Sequence, residues 1–287
     1  MTTIHIEAAA ATNIGYRRKV NQDSLLCEPG AYLVCDGMGG GVGGQRASAS
    51  TVERFHALAL QDARTRGMIE RTLACAQDDV LDIGQELGGL SGTTVTGLIA
   101  PSRDGGDGDD WYVVNIGDSR TYHLDRGIDG RWDPSTVTRI TRDHSQRQEA
   151  IDSGQLLPEE ADAIPRNIIT QCIGDPDGIR PDFYAVEPRG RFVVCSDGLH
   201  GEVDDATLAW KAACDEDPHE VVDALVQLAL HNGGTDNITV IVVDMDTDST
   251  WEGPWRCSKL GDREDIDTLG DETLEAIRVQ SPAAVPL

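Results

Sequence analysis

Apolar residues in this 287-residue chain fall into two rhythms. In the first they recur every three or four positions. Ile69, Leu73, Ala76, Val80 and Ile83 form one stripe that stops at Gly88-Gly89, which predicts an amphipathic helix. Val52, Phe55 and Ala59 predict a helix over 47–60 before it. Two more helices are expected after residue 195. The second begins at Pro218, presents Val221, Leu225 and Leu228 on one face and ends at Asn232-Gly-Gly234. In the second rhythm, short apolar runs bounded by turn residues read as buried strands. These lie at 24–27, 31–35, 93–100, 111–116, 120–124, 136–140, 179–186, 191–195 and 237–243, with a pairing strand at 3–10 followed by a turn at 12–15.

Helices in pairs and strands joined by hairpin-length connections favour antiparallel sheets over regular βαβ crossovers. The expected class is α+β, a two-sheet core with helices packed outside. Residues 102–110 read as a polar hairpin loop, and 144–178 as short helices and loops forming an insertion or lid. From Thr247 onward acids outnumber bases nine to four and aliphatics are few. The expected organisation is one domain over 1–246 and an acidic, mobile tail over 247–287, with a short helix near 273–277.

Charge narrows the partners. Fifty acids against 24 Lys and Arg leave a formal charge of −26, which disfavours nucleic acid and anionic membrane surfaces. No apolar run is long enough to span a bilayer, and residues 1–20 lack a basic segment ahead of an apolar stretch, so no signal peptide is expected. The seven cysteines are scattered and form no Cys-x-x-Cys pair, which points to a reducing cytoplasm.

Four aspartates stand beside a glycine or just after a glycine pair: Asp36, Asp118, Asp197 and Asp236. Asp36 and Asp197 each close a strongly apolar run, so each is delivered to the end of a buried strand. Two like charges about 4 Å apart repel by roughly 4 kcal/mol at an effective dielectric of 20. Convergence of these carboxylates therefore calls for a divalent cation. All-oxygen ligation suits Mg²⁺ or Mn²⁺ rather than zinc.

The motifs that carry these residues resemble, in order over roughly 10–244, the metal-dependent Ser/Thr phosphatases of the protein phosphatase 2C family, in its bacterial form. They are Gly15-x-x-Arg18-x-x-Asn21-Gln22-Asp23, Asp36-Gly-Met-Gly-Gly40, Ser91-Gly-Thr-Thr94, Gly117-Asp-Ser-Arg120, Thr141-Arg-Asp-His-Ser145, Arg166-Asn-Ile-Ile-Thr170, Cys195-Ser-Asp-Gly-Leu199 and Gly234-Thr-Asp-Asn-Ile-Thr-Val240. The resemblance implies a four-layer α-β-β-α sandwich with two Mg or Mn ions at one end of the sheets. Asp36 would bridge the ions, the Gly37 carbonyl would bind one of them, and Asp197 and Asp236 would complete the other. Asp23 would act through water, Asp118 would help hold a third, weaker ion, and Arg18 would grip the substrate phosphate.

The implied activity is hydrolysis of phosphoserine and phosphothreonine in proteins by a metal-bridged hydroxide. The implied partners are phosphoproteins, among them a cognate Ser/Thr kinase; a monomer is expected, and 144–178 matches the family's flap. Two departures stand out. Gln22 occupies a position where relatives often carry Glu, and Met38 a position where many eukaryotic relatives carry His.

Three other readings compete. Cys257-x5-Arg263 has the bare spacing of a cysteine-based phosphatase, but it lacks the preceding histidine and a glycine-rich loop. A non-catalytic, phosphatase-like regulator that binds phosphoproteins or a kinase would tolerate Gln22, yet a full set of converging acids argues for catalysis. A metal-dependent nuclease or cyclic-nucleotide hydrolase would need a basic groove, which the charge of −26 disfavours. His144 and His200 read as structural rather than as proton donors.

Overall fold

A computed structural model describes residues 4–38, 42–102, 110–157, 160–165, 168–247, 253–262 and 264–266. In chain order the strands are β1 (Ile4–Asn13), β2 (Ser24–Glu28), β3 (Ala31–Cys35), β4 (Gly37–Met38), β5 (Gly92–Thr93), β6 (Val95–Ile99), β7 (Trp111–Ile116), β8 (Arg120–Leu124), β9 (Thr138–Arg139), β10 (Asp182–Val186), β11 (Gly190–Cys195), β12 (Ile238–Thr247) and β13 (Cys257–Lys259). The helices are α1 (Val42–Ala59), α2 (Arg66–Leu87), α3 (Gln146–Asp152), α4 (Asp197–His200), α5 (Asp205–Ala212) and α6 (Pro218–Asn232). One sheet has the order β1-β12-β11-β8-β9, the other β13-β10-β7-β6-β3-β2, and every described pairing is antiparallel.

Alternation along the central strands explains why they read as continuous apolar runs: both faces are covered. In β3, Leu33 and Cys35 face α1 and α2, where Phe55, Ile69, Leu73 and Val80 pack, while Tyr32 and Val34 face the opposite sheet. In β12, Val240 and Val242 face Val221, Leu225 and Ala229 of α6, and Ile241, Val243 and Met245 enter the layer between the sheets. The result is the expected α-β-β-α sandwich.

Several boundaries move for physical reasons. Helix α1 starts at Val42 rather than at residue 47, because Gly43 and Gly44 are helical. A Cβ on Gly44 would lie 2.6 Å from the Gln22 amide and 2.7 Å from the Gly37 carbonyl carbon, so this glycine permits close packing rather than a turn. The run at 93–100 breaks at Thr94, whose side chain serves the backbone of Asp36. The run at 136–140 is a 3-10 turn followed by the two-residue β9. A third helix, the short α4, joins the two expected after residue 195. Strand β12 runs on to Thr247 because Asp244 is neutralised by the buried Arg191, which donates to both its carboxylate oxygens at 2.7 and 2.6 Å.

The expected end of the folded body at 246 is corrected. Residues 257–259 add β13 to the edge of the second sheet, with Tyr184 opposite Lys259 and Val186 opposite Cys257. Leu260 joins the core and Ile266 packs against it. A sheet edge is a row of unpaired backbone groups, and this segment covers it. The expected helix near 273–277, most of the loop at 102–110, Gly39, Gly40, Arg166, Asn167 and Arg263 lie outside the described residues. Among the described residues, no helix is long and apolar enough to cross a membrane.

Candidate metal centre

Register brings the acidic residues to one end of the sandwich. Ser24 pairs with Cys35, so Asp23 entering β2 and Asp36 leaving β3 share an end. Val34 pairs with Thr96 and Val95 with Ile116, so β7 runs parallel to β3 and delivers Gly117-Asp118 to the same end. In the other sheet Cys195 pairs with Val240, which puts Asp197 leaving β11 beside Asp236 entering β12. The two sheets are tied across the centre by Asp23. Its Oδ2 accepts from Ser196 Oγ at 2.8 Å and from Thr239 Oγ1 at 2.7 Å.

The local scaffold holds each acid by its backbone. The amide of Asp36 donates to Thr94 Oγ1 at 2.9 Å, and its carbonyl accepts from the Thr94 amide at 2.9 Å and from Thr93 Oγ1 at 3.0 Å. Gly37 begins the β4–β5 ribbon opposite Thr93. The Asp118 carbonyl accepts from His200 Nε2 at 2.9 Å, and burial holds His200 neutral, its pKa lowered to about 3. The Gln22 amide donates to Asn237 Oδ1 at 2.8 Å. Arg18 is exposed and donates to Asp236 Oδ2 at 2.5 Å, a bond that raises the guanidinium above its ordinary range.

These acids perturb one another. Burial, then the charges of Asp23, Asp197 and Asp118, raise Asp36 well above the usual carboxylate range, and its carboxyl faces that of Asp197. Burial and the nearby acids push Asp23 up to about 7 and Asp118 up to about 8. Burial and then Asp236 raise Asp197. One buried oxygen of Asp23 and one of Asp197, Oδ1 in each, accept no hydrogen bond. Buried carboxylate oxygens of this kind seek a proton or a cation.

Among the described residues no three acidic, imidazole or thiol groups surround one point as a formed ligand cage. Asp36 faces Asp197 instead, and Asp236 pairs with Arg18. The all-oxygen donor set, the two orphaned oxygens and the elevation of four carboxyls fit hard divalent ions, which would compete with protons for those oxygens.

All of Asp23, Asp36, Gly37, Asp118, Asp197, Asp236 and Arg18 therefore lie at or beside one site. Ser196, Thr239 and Thr94 are residues that sequence reasoning passed over or read only as a turn. Their signal was a hydroxyl placed at the end of an apolar run. Cys257 is different: it lies in β13, and burial pushes its thiol up to about 12, which leaves no thiolate nucleophile.

No family model matches the chain. It is 32% identical over 257 residues to the serine/threonine protein phosphatase PstP of Mycobacterium tuberculosis, a match covering 85% of this chain and 46% of that protein. The chain thus spans about half the length of that relative. Protein phosphatase PhpP of Streptococcus pneumoniae is 32% identical over 256 residues, covering 84% of this chain and 98% of the relative. The solved catalytic domain of PstP in complex with two manganese ions superposes with a TM-score of 0.70 at 28% identity, covering 85% of this chain and 99% of that one. Near-complete coverage of PhpP at this identity, on a matching sandwich, establishes that the chain belongs to the bacterial protein phosphatase 2C family of serine/threonine phosphatases.

Proposed function

We propose that this protein hydrolyses phosphoserine and phosphothreonine in proteins, using two Mg²⁺ or Mn²⁺ ions, with a third, weaker one at Asp118. The observation that carries the reading is the convergence of five strand-end aspartates beside the exposed Arg18. Asp36, Asp197, Asp236 and the Gly37 carbonyl would hold the ions, with Asp23 acting from behind. When bound, the ions supply an activated water and neutralise charge on the phosphoryl oxygens.

The chain's own groups do the rest. Arg18 offers a planar fork to two phosphate oxygens, which a lysine cannot match. Its bond to Asp236 keeps the fork at the mouth of the site. Ser196 and Thr239 orient Asp23, and Thr94 fixes the peptide of Asp36. Burial holds His200 neutral and bound to the Asp118 carbonyl, so it does not serve as a proton donor near neutral pH.

The proposed substrates are phosphoproteins, among them a Ser/Thr kinase of the same cell. Seven free cysteines support a reducing, cytoplasmic setting, and residues 144–178 are proposed to tune access. The test is hydrolysis of a phosphothreonine peptide with Mn²⁺, with chelator, and by Asp36→Asn. Activity should be lost in the last two. Phosphopeptide binding without turnover under every divalent ion tried would point instead to a non-catalytic regulator.

A further inference from the structure

The segment at 253–262 covers a sheet edge through β13, and one of its side chains also reaches toward the centre. Lys259 Nζ donates to Asp182 Oδ2 at 2.7 Å. The same oxygen faces His144 Nε2 at 3.5 Å and accepts from the Tyr184 hydroxyl at 3.3 Å. A neutral imidazole donates from one nitrogen and accepts at the other. With Nε2 turned toward a carboxylate the proton resides there, and Nδ1 keeps its lone pair. That lone pair accepts the Gly117 amide at 3.3 Å, while the His144 amide donates to the Gly117 carbonyl at 2.9 Å.

Gly117 is thus gripped at both its N–H and its C=O, immediately before Asp118. Its φ of 103° lies in the left-handed region, and a Cβ there would sit 2.5 Å from the Thr94 methyl. A turn in this conformation keeps its shape only if its hydrogen bonds hold it. We propose that Lys259, Asp182 and His144 form a positioning row through which the C-terminal segment holds the Gly117–Asp118 turn in the shape the metal centre needs. This rests on the phosphatase reading above.

Simple edge protection is the competing account, and register separates the two. Asp182 pairs with Asn115 at the end of the sheet that carries the acids, whereas Val186 pairs with Trp111 at the far end. Trp255 and Arg256, held at Glu187, therefore anchor the segment away from the site. Loosening the far anchor should disturb stability alone.

The experiment uses the full chain and reads hydrogen exchange at the Gly117 amide, with kcat and KM on a phosphothreonine peptide in Mn²⁺. Asp182→Leu should speed Gly117 exchange by about tenfold or more and Lys259→Met by roughly threefold, with kcat falling in the same order at unchanged KM. Lys259→Arg should restore both. Arg256→Gln should lower the melting temperature and change neither. Unchanged Gly117 exchange in Asp182→Leu and Lys259→Met, or an equal change in Arg256→Gln, would overturn the proposal. If Asp182→Leu does not fold, Lys259→Met decides, because its pair with Asp182 is half-exposed. A parent protein that hydrolyses no phosphopeptide would sink the phosphatase reading, and the exchange measurements would still decide the row.

Discussion

Trp255 lies flat on His123, with ring centroids 3.6 Å apart and ring planes within 7° of parallel. The indole N–H also donates to the Glu187 carbonyl at 3.0 Å. The contact fastens the chain after β12 to the buried face of β8, where His123 also meets the edge of Phe192. Trp255 is only partly buried, so Trp255→Ala should destabilise by about 2 kcal/mol, below the range for fully buried tryptophans. Urea unfolding checks it; an unchanged midpoint would mean that the segment contributes nothing to the fold.

His123 itself predicts a pH effect. Burial lowers its pKa to about 3 from an ordinary 6.5. Below pH 6.5 the unfolded chain binds a proton that the folded chain refuses, so stability falls as pH drops from about 6.5 toward 3. At pH 5 the loss from this group is roughly 2 kcal/mol relative to neutral pH. His200 is depressed in the same direction, so the slope should be only partly removed in His123→Leu. Unfolding free energies of parent and variant at pH 7 and pH 5 isolate the His123 share.

The crowded carboxyls should reverse sign with metal. Without metal, Asp36→Asn relieves a desolvated acid among like charges, and the melting temperature should rise. With Mn²⁺ at about 100 times its Kd, the parent should gain roughly 2.7 kcal/mol, and the variant should lose most of that gain. Calorimetric melting with and without chelator reads both effects. A parent whose melting ignores Mn²⁺ would count against the centre.

Arg18 should matter through geometry as well as charge. Loss of one bidentate phosphate contact costs about 1.5–3 kcal/mol, or roughly 10–100-fold in kcat/KM. Arg18→Ala should show this loss on phosphopeptides, and Arg18→Lys should recover little of it. Full activity in Arg18→Lys would assign the residue a general electrostatic role.

Arg191 is a purely structural test. Fully buried, it pairs with Asp244 and donates to the carbonyls of Ala212, Asp215 and Glu216, joining the end of α5 to β11 and β12. Arg191→Met strands Asp244 as a buried charge and should cost about 3–5 kcal/mol. Thermal unfolding measures it, and the kcat of the remaining folded protein should be unchanged.

Much of this fold was legible because its strands are buried on both faces. Trp111–Ile116 and Arg120–Leu124 have the expected bounds, since turn residues bracket apolar runs at both ends. The errors are equally specific. Gly43 and Gly44 look like a loop in sequence, yet they sit in α1, Gly43 close against Ser91 and Gly44 against Gln22 and Gly37. Cys257-Ser-Lys259 is too short and too polar to announce a strand; only the open edge of β10 makes it one.

From primary structure alone came the apolar rhythm, the order of the elements and the glycine-flanked aspartates, because each is a property of neighbouring residues. Folding alone decided what those acids meet. Asp36 comes to face Asp197, Asp23 bridges two sheets, and Lys259 reaches Asp182, through registers that join residues tens or hundreds of positions apart. Such pairings depend on how two sheets stack, and no local pattern encodes that distance.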